Sequence, residues 1–204
     1  MVEGHLAVIA IIETILRQAN QDQSPSSSRF DSSDIPEISV RSYLTRISSL
    51  LDCESSIYTM SLVYMDRIVE KTPQLMITPL NVHRLILTSI TLAHKFYSDF
   101  YYRNTDYAAI GGVSSEDMNK LESRFLKMIG FNLYISNELF HEYESKLLIF
   151  MQLQQEEKMK NEVCCEEKTE VNQDEQESSG RISTCGSYES LVGKVEENIE
   201  EDVE

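Results

Sequence analysis

The 204-residue sequence has no tryptophan, only seven glycines and four prolines, and 18 lysines and arginines against 34 aspartates and glutamates, a formal net charge of -16. Each shortage excludes something. A chain this acidic repels phosphate backbones and carries no run of Lys and Arg to offset that, so direct nucleic-acid binding is not expected. The longest early apolar stretch, Leu6 to Ile12, is too short to span a bilayer and has no basic flank, which argues against a transmembrane helix or a signal peptide. Four cysteines (Cys53, Cys164, Cys165, Cys185) show neither a disulfide framework nor metal spacing, and the expected compartment is a reducing one, nucleus or cytoplasm. The hydrophobic share, 41%, is low for a chain packed throughout.

That deficit is local. Residues 151–204 hold 16 acids, 5 bases and a single aromatic, Tyr188, whereas residues 1–150 hold 18 acids, 13 bases and 16 of the 17 aromatics. The length suits one ordinary domain with appendages. The expected organisation is an N-terminal helix (1–19), a polar linker (20–37), a helical bundle (38–152) and an acidic tail (153–204), which its charge and lack of aromatics predict to be disordered.

Hydrophobic spacing supports an all-α fold. Leu6, Ile9, Ile12 and Leu16, with Val8, Ile11 and Ile15, make the first helix apolar over most of its circumference, so the domain or a partner must cover it. The linker, with Ser24-Pro25 and six further serines or prolines, is too polar to order itself. Val40, Tyr43, Leu44, Ile47 and Leu51 predict a helix over 38–51. The next, 56–71, is apolar all round and belongs at the centre of a bundle. Thr78-Pro79 offers a cap and a first-turn proline for a helix running to Ser98. A tyrosine-rich stretch then reaches Gly111-Gly112, a sharp break. Ser114 with Asp117 resembles a capping box for a helix that Gly130 ends in left-handed conformation. Phe131, Leu133 and Ile135 alternate in an extended connector, and a final helix carries Leu139, Phe140, Tyr143, Leu147 and Phe150.

Catalytic chemistry is not visible. His5, His83, His94 and His141 have no acids or cysteines at ligand spacing, so no metal and no cofactor are expected. Gly111-Gly112 lacks the Lys-Ser/Thr of a phosphate loop, and no nucleophile, base and orienting group stand together. The chain reads as a binding protein rather than an enzyme. Its informative polar residues are charges on otherwise apolar helices: Arg41, Asp66, Lys95 and Glu122. A buried charge requires a partner, and the alternative for each is a place on the surface.

Together these residues resemble the cyclin box. Val40-Arg41-Ser42-Tyr43-Leu44 is similar to its arginine-bearing first helix and Tyr64-Met65-Asp66-Arg67-Ile68 to its aromatic-x-Asp-Arg signature. Ala93-His94-Lys95-Phe96 resembles its Ala-x-Lys-aromatic signature, and Met118 to Glu122 through Gly130 to Leu133 its fifth helix and exit. More narrowly, Asn81-Val82-His83-Arg84-Leu85, Tyr101-Tyr102 and Ile110-Gly111-Gly112-Val113-Ser114 resemble the plant U-type (P-type) cyclins, relatives of the yeast phosphate-pathway cyclin.

The resemblance implies a single five-helix box, acting as the regulatory subunit that binds and activates a cyclin-dependent protein kinase as a heterodimer, in cell-cycle or nutrient-linked control. It implies that Arg41 and Asp66 form an internal ion pair between the first two box helices, and that Lys95 and Glu122 bond the kinase's mobile small-lobe helix. Departures are specific. Ile47 stands where many cyclins carry the tryptophan of a substrate-docking patch, Ser98 replaces an acid common after the Lys-Phe motif, and no mitotic destruction signature occurs. Two other readings stay open: a helical adaptor of the transcription-related kind, which would usually show two repeats and a basic surface, and an all-α enzyme, which would need a catalytic set.

Overall fold

The computed structural model describes residues 4–19 and 28–167, with side chains omitted at 18–19 and 157–167. Among the described residues there are seven helices and no strand: α1 (Gly4–Ala19), α2 (Val40–Leu50), α3 (Ser55–Lys71), α4 (Val82–Tyr97), α5 (Asn104–Gly111), α6 (Ser115–Met128) and α7 (Asn137–Glu167). None of them is long and apolar enough to cross a membrane.

Eleven of the 17 residues of α3 and 12 of the 16 of α4 are buried, and these two helices pack against each other as the axis of the bundle. That is the consequence expected for helices apolar all round. α1 is equally committed: Ala7, Val8, Ile9, Ile11 and Ile12 are all sealed from solvent. Its backbone begins against α3, where the Gly4 N–H donates to Ser55 Oγ at 2.7 Å and a Cβ on Gly4 would collide with the Ser55 carbonyl oxygen. The first helix is therefore covered by its own domain. α5 and α6 close the other side, where Gly111 meets the Leu87 side chain of α4 and offers its carbonyl to Tyr43 Oη at 3.1 Å. Gly130 (φ 66°) takes the left-handed conformation expected of it after α6, and Gly112 (φ 69°), in the expected break, takes it at the end of α5.

Four details differ from the sequence reading. Residues 28–37 are not a loose polar linker. Phe30 is fully buried, edge-on to Phe125, and Ser32 N–H, Asn81 Nδ2 and Arg84 bond this strap to α4 and the turn before it. A single aromatic and a few backbone-directed bonds do what the average composition does not suggest. Residues 104–111 form α5, whose eight residues show almost no hydrophobic periodicity and so gave no helical signal. Residues 78–81 form a turn ahead of α4 rather than its first turn, because Asn81 Oδ1 accepts the Thr78 N–H at 2.9 Å while its amide group donates to Met76 and Asp31. Finally, α7 continues to Glu167, past the expected boundary at 152. Ser24-Pro25 and residues 168–204 lie outside the described residues.

The strap makes a direct test possible. Phe30→Ala empties a buried site and should cost about 3–5 kcal/mol, whereas Ile35→Ala, at an exposed position of the same strap, should cost less than about 0.5 kcal/mol. Urea unfolding of both variants measures the difference, and equal small losses would mean that the strap does not pack.

Candidate functional site

Lys95 lies in the last turn of α4, Asn104 begins α5 and Glu122 sits midway along α6, and the three side chains converge. Lys95 Nζ donates to Glu122 Oε1 and to Asn104 Oδ1, both at 2.5 Å. Asn104 Nδ2 reaches Glu122 Oε2 and Asn119 Oδ1, both at 2.6 Å. The Lys95 and Glu122 side chains are 24% and 17% exposed, so the group is set into the surface rather than buried beneath it. An ammonium has three donors and a carboxylate about four acceptor positions. Two of each are used here, which leaves one donor and two acceptor positions for a molecule docking from outside. The sequence placed Lys95 and Glu122 together, and they are. It missed Asn104, the residue that joins them, because α5 was not recognised.

The chain between Lys95 and Asn104 carries several exposed aromatic side chains. Phe96, Tyr101 and Tyr102 are exposed, and Phe100 is 89% exposed in the α4–α5 loop. The loop is held by Tyr107, whose hydroxyl accepts the Tyr102 N–H at 3.3 Å and lies 2.7 Å from His94 Nδ1. Burial pushes the Tyr107 phenol up to about 12 and pulls the His94 imidazole below its ordinary range. The phenol therefore keeps its proton and the imidazole is neutral, and the two share this hydrogen bond inside the domain. His83, the other buried histidine, is likewise lowered by burial, and its Nε2 bonds the Ile38 carbonyl at 3.0 Å. Both behave as hydrogen-bonded core residues, and no group of His, Cys, Asp and Glu among the described residues could hold a metal ion.

The expected ion pair between Arg41 and Asp66 does not form. The Arg41 side chain is 55% exposed and pairs with Glu13 of α1 at 2.7 Å. Asp66 is buried, and Tyr143 of α7 donates its hydroxyl to Asp66 Oδ2 at 2.5 Å. The reason lies in the packing. α1 lies against both α2 and α3, which have little contact with one another, so each charged residue meets a neighbour other than the one expected. Burial, and next the negative charge of Asp66, raise the Tyr143 phenol well above its usual range, which keeps it a donor.

The rest of the α3 signature serves the connector after α6. Tyr64 Oη donates to the Leu133 carbonyl at 2.7 Å, and the Arg67 guanidinium donates to the carbonyls of Asn132 and Tyr134 at 2.8 and 2.9 Å. Lys71 Nζ takes the Ile129 carbonyl at 2.6 Å. Held in this way, the connector displays Phe131 and Tyr134 to solvent.

A family model described as Cyclin matches residues 11–133, from inside α1 to the connector just described. The chain belongs to the cyclin family. Among curated proteins it is similar to Cyclin-U4-3 of Arabidopsis thaliana, 46% identical over 124 residues (61% of this chain, 56% of that protein). It is 43% identical to Cyclin-U4-2 of the same plant over 120 residues (59% and 56%), and 33% identical to Cyclin-P4-1 of Oryza sativa subsp. japonica over 148 residues (67% and 70%). The match to plant U-type and P-type cyclins agrees with the motifs at 81–85, 101–102 and 110–114. The chain spans little more than half the length of the U-type relatives it matches. Cyclins are regulatory subunits rather than enzymes, generally associated with cyclin-dependent kinases.

Two outcomes follow for this cyclin. Tyr143→Phe removes a donor from the buried Asp66 carboxylate and should cost about 1–3 kcal/mol, while Arg41→Ala breaks only a largely exposed pair and should cost less than about 1 kcal/mol. Chemical denaturation of the two variants ranks them, and the reverse order would return Arg41 to the interior. Because His83 and His94 have lowered pKa values when folded, the unfolded chain binds protons that the folded one excludes. Stability should therefore decline as pH falls below about 6.5, the ordinary histidine value, and level off once both histidines protonate in the folded state. Melting temperatures of the wild type and of His94→Gln across pH 5 to 8 should show a shallower decline in the variant; parallel curves would remove His94 from the account.

Proposed function

We propose that this cyclin binds a cyclin-dependent protein kinase through the face carrying Lys95, Asn104 and Glu122, and that docking switches the kinase on. The observation that carries the reading is the partly exposed Lys95–Asn104–Glu122 group, with unused hydrogen-bonding capacity, together with the exposed aromatics on the segment that joins Lys95 to Asn104. Desolvated aromatics with a few directed polar groups are what a strong protein interface is made of. An active kinase needs its mobile small-lobe helix docked so that a glutamate of that helix pairs with the lysine orienting ATP. A partner that binds only the docked arrangement shifts the population toward it, and moving a 1:99 equilibrium to 99:1 takes about 5.5 kcal/mol of differential binding. In this reading the free Lys95 donor and the free Glu122 acceptor positions take backbone groups at an end of that helix, and Phe100 and its neighbours supply apolar area. The work is placed in the nucleus or cytoplasm, where such kinases meet their substrates.

A pull-down against a panel of cyclin-dependent kinases, followed by phosphorylation assays with the captured kinase, tests this. Truncating one charge at a desolvated contact costs about 2–5 kcal/mol of binding, so Lys95→Ala and Glu122→Ala should each weaken stimulation at least tenfold. Phe100→Ser should do the same without moving the melting temperature, since that side chain supports nothing in the free protein. Full activation by all three variants would assign kinase binding to another face.

A further inference from the structure

Folding creates one concentration of positive charge that the linear sequence does not show. A cleft of about 770 Å³ opens between α6, the strap at Ser28–Phe30 and the α3–α4 loop at 72–75. Four of the 13 cations of residues 1–150 line it, Arg29, Lys120, Arg124 and Lys127, against one acid, Glu116. Glu116 already pairs with Lys120 at 2.7 Å on the exposed side of α6. Arg124 gives one N–H to the Arg29 carbonyl and keeps its other donors. Among the described residues no carboxylate pairs with Arg29, Arg124 or Lys127, although the chain carries nearly two acids for every base. Leu75 and Met128 give the cleft an apolar part.

We infer that this cleft receives the acidic end of the same chain, residues 196–204. Those nine residues, Glu-Glu-Asn-Ile-Glu-Glu-Asp-Val-Glu, hold six acids and no base, and Ile199 and Val203 can meet the apolar wall. Residues 168–204 number 37, enough contour to reach about 120 Å, against a width of about 40 Å for a domain of this size. The tether makes the encounter intramolecular, at an effective concentration of the millimolar order. The opposite charges attract over a Debye length of about 10 Å at 0.1 M salt. The inference does not rest on the kinase reading, because Asn119 alone is common to the cleft and the Lys95 group.

Carbodiimide coupling of the full chain, with peptides mapped by mass spectrometry, tests it by joining carboxylates to lysines in contact. With yields normalised to each lysine's reactivity toward acetic anhydride, residues 196–204 should link to Lys120 or Lys127 at least fivefold more often than to Lys71 or Lys146. The yield should be unchanged by tenfold dilution and should fall severalfold between 0.05 and 0.5 M NaCl. Arg29→Gln, which keeps the carbonyl that Arg124 uses, should lower it severalfold with an unaltered melting temperature. Links spread evenly over all lysines, or insensitive to salt, would overturn the inference. So would a yield that falls in proportion to dilution, which would assign the cleft to a second copy's tail.

Discussion

Two helices, α3 and α4, are covered on nearly every side, so the polar side chains they carry must find their bonds inside the protein, and among the described residues only the Thr91 hydroxyl and His83 Nδ1 are buried without one. The short ones manage locally: Ser61, Thr88 and Ser89 return their hydroxyls to carbonyls three or four residues earlier in their own helix. The long ones must reach outward, and where they reach fixes the loops. Tyr64, Arg67 and Lys71 bind the carbonyls of 129–134, His83 binds the carbonyl just ahead of α2, and His94 and Lys95 bind α5 and α6. Neither the connector after α6 nor the segment ahead of α2 belongs to a helix or sheet that would settle its backbone groups. The exposed aromatics of the α4–α5 loop and of the connector are therefore presented in fixed places by demands that originate in the core.

This explains which features were legible in the sequence. Helices with a periodic apolar face, such as α2 and α6, are written in the spacing of Val40, Tyr43, Leu44 and Ile47 or of Met118, Leu121 and Phe125. α5 is not, because it contributes only Tyr107, Ala108 and Gly111 to the core, and Gly111 contributes by lacking a side chain against Leu87. The strap at 28–37 hid for a similar reason. Its order rests on Phe30 and on bonds made by Asp31, Asn81 and Arg84 across about 50 positions of sequence, which no local window registers.

Motif resemblance matched one of the two expected charged pairs and missed the other. Lys95 and Glu122 do meet, because α4 and α6 pack directly. Arg41 and Asp66 do not, because α1 occupies the space where their helices would have met and brings Glu13 to one of them. A sequence motif marks a position whose chemistry is constrained. Which neighbour satisfies it depends on what the rest of the chain inserts alongside. The same holds for positive charge: Lys120, Arg124 and Lys127 share one side of α6, but Arg29 joins them only because the strap folds back.

Two surfaces with different physics thus lie side by side, joined at Asn119. The Lys95–Glu122 group is a paired cation and anion with no net charge. It exerts no long-range pull, and its contribution to binding comes from short, directed bonds once water is excluded, which salt hardly affects. The cleft beside it has an excess of positive charge in a chain of net -16. Its attraction begins at a distance, tolerates many arrangements of an acidic segment, and fades as salt rises. A contact of the first kind is suited to recognising one partner in one orientation. The second kind suits a reversible association with a segment defined by little more than its charge. Because the two respond so differently to ionic strength, occupation of one can be measured without disturbing the other, even though a single asparagine borders both.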